Sequence, residues 1–428
     1  TNVIVSDKYL YFPFIGLLLL MACFLHWIKD SKVIGGTFGR VIIFFALILI
    51  LVLESAATRS CLKKWSDTIP LYRHLLTNSP ESVVLHNNFA SELKMANKFD
   101  EAIVHYKRSL ELMPGDPDAL SNLGIVLKDK GKIDEAIEYY EMAIKLKPDK
   151  PEFHTNIGSA YHISGKFDAA VRAYQRAIEL NPDLIQARIN MGIVLLKLKQ
   201  VERAILNFQR VLEIWPNHTE ALIGLAQAYL SQGRYEQAAS EYLAVLKKEP
   251  DNASLYYELA NVYLKAENYP LAEKYFAEAY KNDSSLISAR VKQADMLMIT
   301  GEIRKGIDIY YQILEVAPKQ MSVLCKLSLI LSAIEEDNFS NLEDAKKFAA
   351  RTCQMTGYRN PGTLDILAVV LAASGEFEQA VSVAEKAVKI AMENKQFALA
   401  QMIKNKLELY RSGRKFKEPL SALLPMFR

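Results

Sequence analysis

Prolines recur every 34 residues along most of this chain: Pro80, Pro114, Pro148, Pro182, Pro216 and Pro250, with Ser284 in the next place and Pro318 after it. A fixed period of this length means one supersecondary unit copied and stacked, because a single copy cannot bury its apolar face alone. Aligned on the prolines, Leu123, Ile157, Met191, Leu225 and Leu259 fall in one column, and Gly124, Gly158, Gly192, Ala226 and Ala260 in the next. Further columns hold Ala136, Ala170, Ala204, Ala238 and Ala272, then Tyr140, Tyr174, Phe208, Tyr242 and Phe276. Small residues let two antiparallel helices approach closely, and the aromatic wedges between neighbouring units. The proline stops the second helix, since it has no N–H to continue the ladder. Gly131, Gly165, Gly233, Gly301 and Gly375 fall at the turn inside units, where a left-handed backbone is expected.

This pattern resembles the tetratricopeptide repeat, which implies an all-α, right-handed α-solenoid of helix pairs. The register gives units at 83–116, 117–150, 151–184, 185–218, 219–252, 253–286 and 287–320, an eighth stretched by an insertion around AIEEDNFSN, and a ninth from near Pro361. Residues 83–394 are thus expected to form about nine repeats. Residues 61–82 read as the second helix of a half unit, with Tyr72 in the aromatic column, and 395–428 as a capping helix and tail with Phe397, Ile403 and Leu407 inward.

In that fold the first helix of each unit lines a concave groove. Asn88, Asn122, Asn156 and Asn190 form a ladder on it at 34-residue spacing. Each carboxamide offers two donors and an acceptor, so such a ladder can grip an extended peptide backbone without reading its side chains; asparagine is also the common choice of the repeat there, which allows a purely structural role. Beside the ladder the wall turns apolar at Ile189, Ile193, Leu196, Ile223 and Leu230, then mixed at Tyr257 and Asn261, a composition that marks partner contact or packing under an adjacent helix. Asn87, Ser91, Ser121 and Ile125 lack the Lys/Asn arrangement by which similar domains clamp a C-terminal carboxylate.

The chain begins differently. Residues 1–60 are almost free of acids, and the runs LLLLMACFL and VIIFFALILILVL have no polar face to turn to water. They predict a membrane hairpin over residues 1–60 with spans at about 12–28 and 41–57, short for a helix that needs about 20 residues to cross a bilayer but flanked by Tyr9, Tyr11, His26 and Trp27 as interface anchors. The lysines and arginines on the two sides nearly balance and leave the orientation open. With no initiator methionine or cleavable leader, the start is expected to be internal to a longer protein.

Composition excludes several functions. A net charge of +3 over 428 residues, with no basic stripe, gives no electrostatic case for nucleic acid. The four cysteines form no CxxC pair and none lies beside histidine at ligand spacing, so no metal is expected. Cys325 and Cys353 lie in the two halves of one helix pair, as two buried thiols or, in an oxidising compartment, as a disulfide. No phosphate loop, HExxH or nucleophile elbow occurs, and none of the histidines has a triad partner in register. No catalytic residue and no cofactor are expected.

The stretch SDKYLYFPFIGLLLL, a second short span and then KKWSDTIPLYRHLLTNSPESVVLHNNFA resemble the C-terminal part of polytopic, lipid-linked-sugar glycosyltransferases that end in tetratricopeptide repeats. These are the transmembrane O-mannosyltransferases and similar bacterial membrane proteins. The matching motif residues are Asp7, Lys8, Tyr9, Tyr11, Pro13 and Gly16. The resemblance implies an outward loop at Asp7 and Lys8, repeats facing the periplasm or lumen, a lipid-phosphate sugar as partner of the full-length protein, and catalytic acids in an earlier loop that this chain lacks. Two functions stay open. One is the tail of such an enzyme, its groove presenting acceptor proteins; the other is a non-enzymatic membrane-tethered scaffold for envelope complex assembly.

Overall fold

The computed structural model describes Leu49, residues 68–333 and residues 340–417. Both expected spans, 12–28 and 41–57, and the motif from Asp7 to Gly16 lie outside the described residues. Among those described, no helix is long and apolar enough to cross a membrane. The described chain is all-α: twenty helices, and no strand among the described residues. It divides into two compact bodies, Thr1–Pro148 and Asp149–Arg428.

The N-terminal body holds α1 (Thr68–Asn78), α2 (Val83–Met95), α3 (Phe99–Leu112), α4 (Pro117–Asp129) and α5 (Ile133–Leu146). The C-terminal body runs through α6 (Pro151–Ile163), α7 (Phe167–Leu180), α8 (Ile185–Lys197), α9 (Val201–Ile214), α10 (Thr219–Ser231) and α11 (Tyr235–Leu246). It continues with α12 (Ala253–Lys265), α13 (Tyr269–Asn282), α14 (Ile287–Ile299), α15 (Ile303–Val316) and α16 (Met321–Ala333). It ends with α17 (Leu342–Met355), α18 (Pro361–Ala373), α19 (Phe377–Glu393) and α20 (Phe397–Arg411). Even-numbered helices from α2 to α18 are the first members of antiparallel pairs and odd-numbered ones from α3 to α19 the second.

Side-chain size explains the pairing. The alanine column (Ala102, Ala136, Ala170, Ala204, Ala238, Ala272) is fully buried, as are Tyr106, Tyr140, Tyr174, Phe208, Tyr242, Phe276 and Tyr310. Within a pair the second helix lays its aromatic ring against the small residue of the first. A Cβ on Gly158 would meet the Tyr174 ring at 2.7 Å, and one on Gly192 would meet Phe208 at 2.6 Å. In the C-terminal body α6 also packs on α8 and α8 on α10, while no second helices pack on one another to that degree. The first helices therefore form the inner layer of the stack, and their uncovered ridges form its wall.

The described turns inside the pairs share one conformation. Gly131, Gly165, Gly233, Gly301 and Gly375 adopt φ between 73° and 85° there, and Asn97, Lys199, Glu267 and Lys395 hold the same kind of turn at φ 56–58°. A side chain at positive φ costs roughly 1–2 kcal/mol, and Gly131 has open space around its missing Cβ. Gly131→Ala is accordingly expected to destabilise the N-terminal body by about 1 kcal/mol through the backbone alone. Urea unfolding of the variant checks this, and an unchanged midpoint would contradict it.

The capping helix departs from expectation at one residue. Ile403 and Leu407 are buried as expected, together with Ala400 and Tyr410, but Phe397 is 61% exposed. It is the first residue of α20, and the inward stripe is set by Ala400, Ile403, Leu407 and Tyr410 at three- and four-residue steps, which leaves position 397 off that face. Cys325 and Cys353 are free thiols; burial pushes the Cys325 thiol up to about 11, with Cys353 adding to the effect.

Candidate functional site

On the wall of the C-terminal body lie Asn156 on α6, Asn190 and Ile193 on α8, Ile223 on α10, and Tyr257 and Asn261 on α12. Ile193 is 37% exposed, and the others are half-buried. In the N-terminal body Asn88 on α2 is exposed and Asn122 on α4 half-buried. Ile189 does not belong to the wall. It is 1% exposed and lies in the core that contains Tyr174 and Phe208. One residue before Asn190 is about 100° round the helix, and that flank turns inward: Thr155, one repeat earlier, is buried as well.

The asparagine positions have a structural side, visible in the tyrosines beneath them. Asn190 and Ser159 stand beside the Tyr174 hydroxyl, yet neither closes a hydrogen bond of ordinary geometry on it, and the phenol is buried without a partner. Burial raises its pKa strongly. Two repeats on, Tyr242 stands near Gln227 and Glu258, and burial pushes its phenol up to about 12. Two repeats further, the same three positions are Tyr310, Asp295 and Lys326. There the contacts close: the Tyr310 hydroxyl and the Lys326 ammonium both donate to Asp295 Oδ1 at 2.5 Å. One arrangement thus recurs: a phenol from a second helix, a side chain from the first helix of its pair, and the ladder residue of the next pair. Sequence reasoning missed Asp295 and Lys326, although Lys326 is in the asparagine register.

The ladder breaks where the aromatic has no hydroxyl. The residue after Asn190 in register is Gly224, and a Cβ there would come within 2.5 Å of the Phe208 ring. Past this gap the wall is lined by Ile223, then by Tyr257, whose ring meets Phe276 edge-on at 5.4 Å. Asn190 Oδ1 accepts from Gln186 Nε2 at 3.0 Å. The chemistry on offer is therefore carboxamides able to meet peptide N–H and C=O groups, followed by an apolar and aromatic step beside the exposed Glu258. Among the described residues, no group of three or more His, Cys, Asp or Glu is placed to hold a metal ion.

Comparison with known proteins agrees with the architecture. Family models described as Tetratricopeptide repeat match residues 183–248, 223–287 and 361–386, and one described as TPR repeat matches 92–131, 126–163 and 158–199. Together they cover about half of the chain. Comparison with curated proteins gives no match. Among solved structures, one of MamA is 28% identical over 39% of this chain and 96% of its own, with a TM-score of 0.36. YrrB, described as a TPR protein with an unusual peptide-binding site, is 23% identical over 46% of this chain and 97% of its own, with a TM-score of 0.37. The pilF protein of Pseudomonas aeruginosa is 18% identical over 48% of this chain and 94% of its own, with a TM-score of 0.43.

Proposed function

From the premise that this chain belongs to the tetratricopeptide-repeat proteins, we propose that its first helices bind an extended segment of a partner protein. The supporting observation is the wall of the C-terminal body, where Asn156 and Asn190 lead into Ile193, Ile223 and Tyr257 without an interposed buried charge. Carboxamides hold the partner's backbone, and the apolar step takes one of its side chains. A backbone hydrogen bond of this kind contributes about 0.5–1.5 kcal/mol. Converting Asn156 and Asn190 together to alanine is therefore expected to weaken retention of displayed extended peptides by about tenfold or more. Helical circular dichroism should stay constant; undiminished retention would sink the proposal.

In the same reading the chain is tethered to a bilayer by residues 12–28 and 41–57, and its repeats face the periplasm or lumen. Support comes from the two apolar runs, which lack a polar face. The motif Asp7, Lys8, Tyr9, Tyr11, Pro13 and Gly16 supports descent from the lipid-linked-sugar glycosyltransferases, with the wall presenting acceptor proteins and the sugar donor engaged elsewhere in the full-length protein. A membrane-tethered scaffold for envelope assembly rests on the repeats alone and needs no transferase. Coding sequence upstream of Thr1 separates them: further spans with an acidic pair in the first external loop favour the enzyme.

A further inference from the structure

Two histidines 19 residues apart meet in the N-terminal body. His86 on α2 and His105 on α3 approach Nδ1 to Nδ1 at 2.9 Å, and His86 Nε2 lies 3.0 Å from the carbonyl oxygen of Pro80 in the turn between α1 and α2. The protons on this chain follow from its last member. A carbonyl only accepts, so His86 Nε2 carries a hydrogen and donates it. The Nδ1 of neutral His86 is then a bare acceptor, and the bond to it requires His105 Nδ1 to be the donor. The turn that joins α1 to the first pair is thus held by His86, and His86 is held by His105.

The same rings fasten α1 from a second side. Tyr72 of α1 stacks on Phe89 of α2 with centroids 5.6 Å apart, Phe89 meets His105 at 4.6 Å, and His105 stacks on His86 at 5.2 Å. Arg73 of α1 pairs with Glu101 of α3 at 2.8 Å. Protonation of His105 works against this array, because it puts a charge on a half-buried ring that lies beside Arg73 of α1.

We propose that the His86–His105 pair is a proton-sensitive latch that keeps α1 and its turn docked on the first helix pair near neutral pH and releases them under mild acid. The charges bearing on His105 come from three elements. They are His86 on α2, Glu101 on α3 itself and Arg73 on α1, while Lys130, after α4, is engaged with Asp100. Burial and His86 hold the His105 imidazole below its ordinary range, with Glu101 opposing and Arg73 adding to them. A histidine with a depressed folded pKa favours the docked state fully above the unfolded value near 6.5, and that contribution disappears as pH falls through the lower, folded value.

Hydrogen exchange on the full chain tests the latch. Between pH 7.5 and 5.5, after correction for intrinsic rates, exchange across residues 68–80 is expected to accelerate about tenfold relative to α4, as for a local opening. His105→Phe keeps ring stacking, and His105→Gln keeps a donor toward His86; neither titrates, and both should remove the pH dependence. The idea is overturned if exchange across 68–80 does not change with pH in the unaltered protein, or if the pH dependence survives in both variants.

Discussion

Asp295→Ala is expected to destabilise the C-terminal body by about 3–5 kcal/mol, the scale for removing one partner of a buried ion pair. Asp295 is 2% exposed, and its carboxylate is the shared acceptor for Lys326 and the Tyr310 hydroxyl. Burial raises its pKa, and the Lys326 charge is the largest of the effects pulling it back, so the pair is costly to bury and costlier to break. With the carboxylate gone, an ammonium whose side chain is only 13% exposed loses the counter-charge of Asp295, and a phenol loses its acceptor. The pair itself carries little net stabilisation by this argument. Asp295→Leu combined with Lys326→Met should therefore lose markedly less than Asp295→Ala alone. Urea unfolding of the single and double variants reads the difference; equal losses would show that the lysine finds water instead.

Extending the asparagine ladder by one rung should fail. Gly224→Asn restores the repeat's own pattern at the next position, yet its Cβ would press within 2.5 Å of a ring that is itself fully buried. Overpacking of this kind costs about 1–3 kcal/mol. Because the strain lies between two side chains, it should be relieved by shrinking the other: Gly224→Asn with Phe208→Leu is expected to be less destabilised than the two single losses added together. Strict additivity of the three thermal or urea measurements would place the cost elsewhere, in the loss or gain of backbone freedom at residue 224.

Periodicity made the architecture readable. Once prolines, small residues and aromatics recur at one spacing, the helix pairs follow, and the positive-φ turn could be placed on Gly131, Gly165, Gly233, Gly301 and Gly375. Which face of a helix stays open was harder to see, because adjacent positions differ by about 100°. Ile193 is open and Ile189 is not, although both are isoleucines on the same helix. Phe397 shows the same limit on α20, where it falls off the face set by Ala400, Ile403, Leu407 and Tyr410. The contacts that depend on depth were invisible: Asp295, Tyr310 and Lys326 are ordinary surface-type or consensus residues until α14, α15 and α16 bring them together. His86 and His105 follow no repeat column, and only the packing of α2 on α3 pairs them.

The burial of α14 sets a length. Val291 and Asp295, which stand on α14 in the registers of Tyr257 and Asn261, are buried, so the proposed partner face of the C-terminal body runs from α6 to α12. Neighbouring helices lie roughly 10 Å apart, which makes the three steps between those four helices roughly 30 Å. At about 3.3 Å per residue for a strand-like chain, a partner segment bound as proposed would lay about nine residues along this face. A longer ligand would have to turn away before reaching the charged pair under α14.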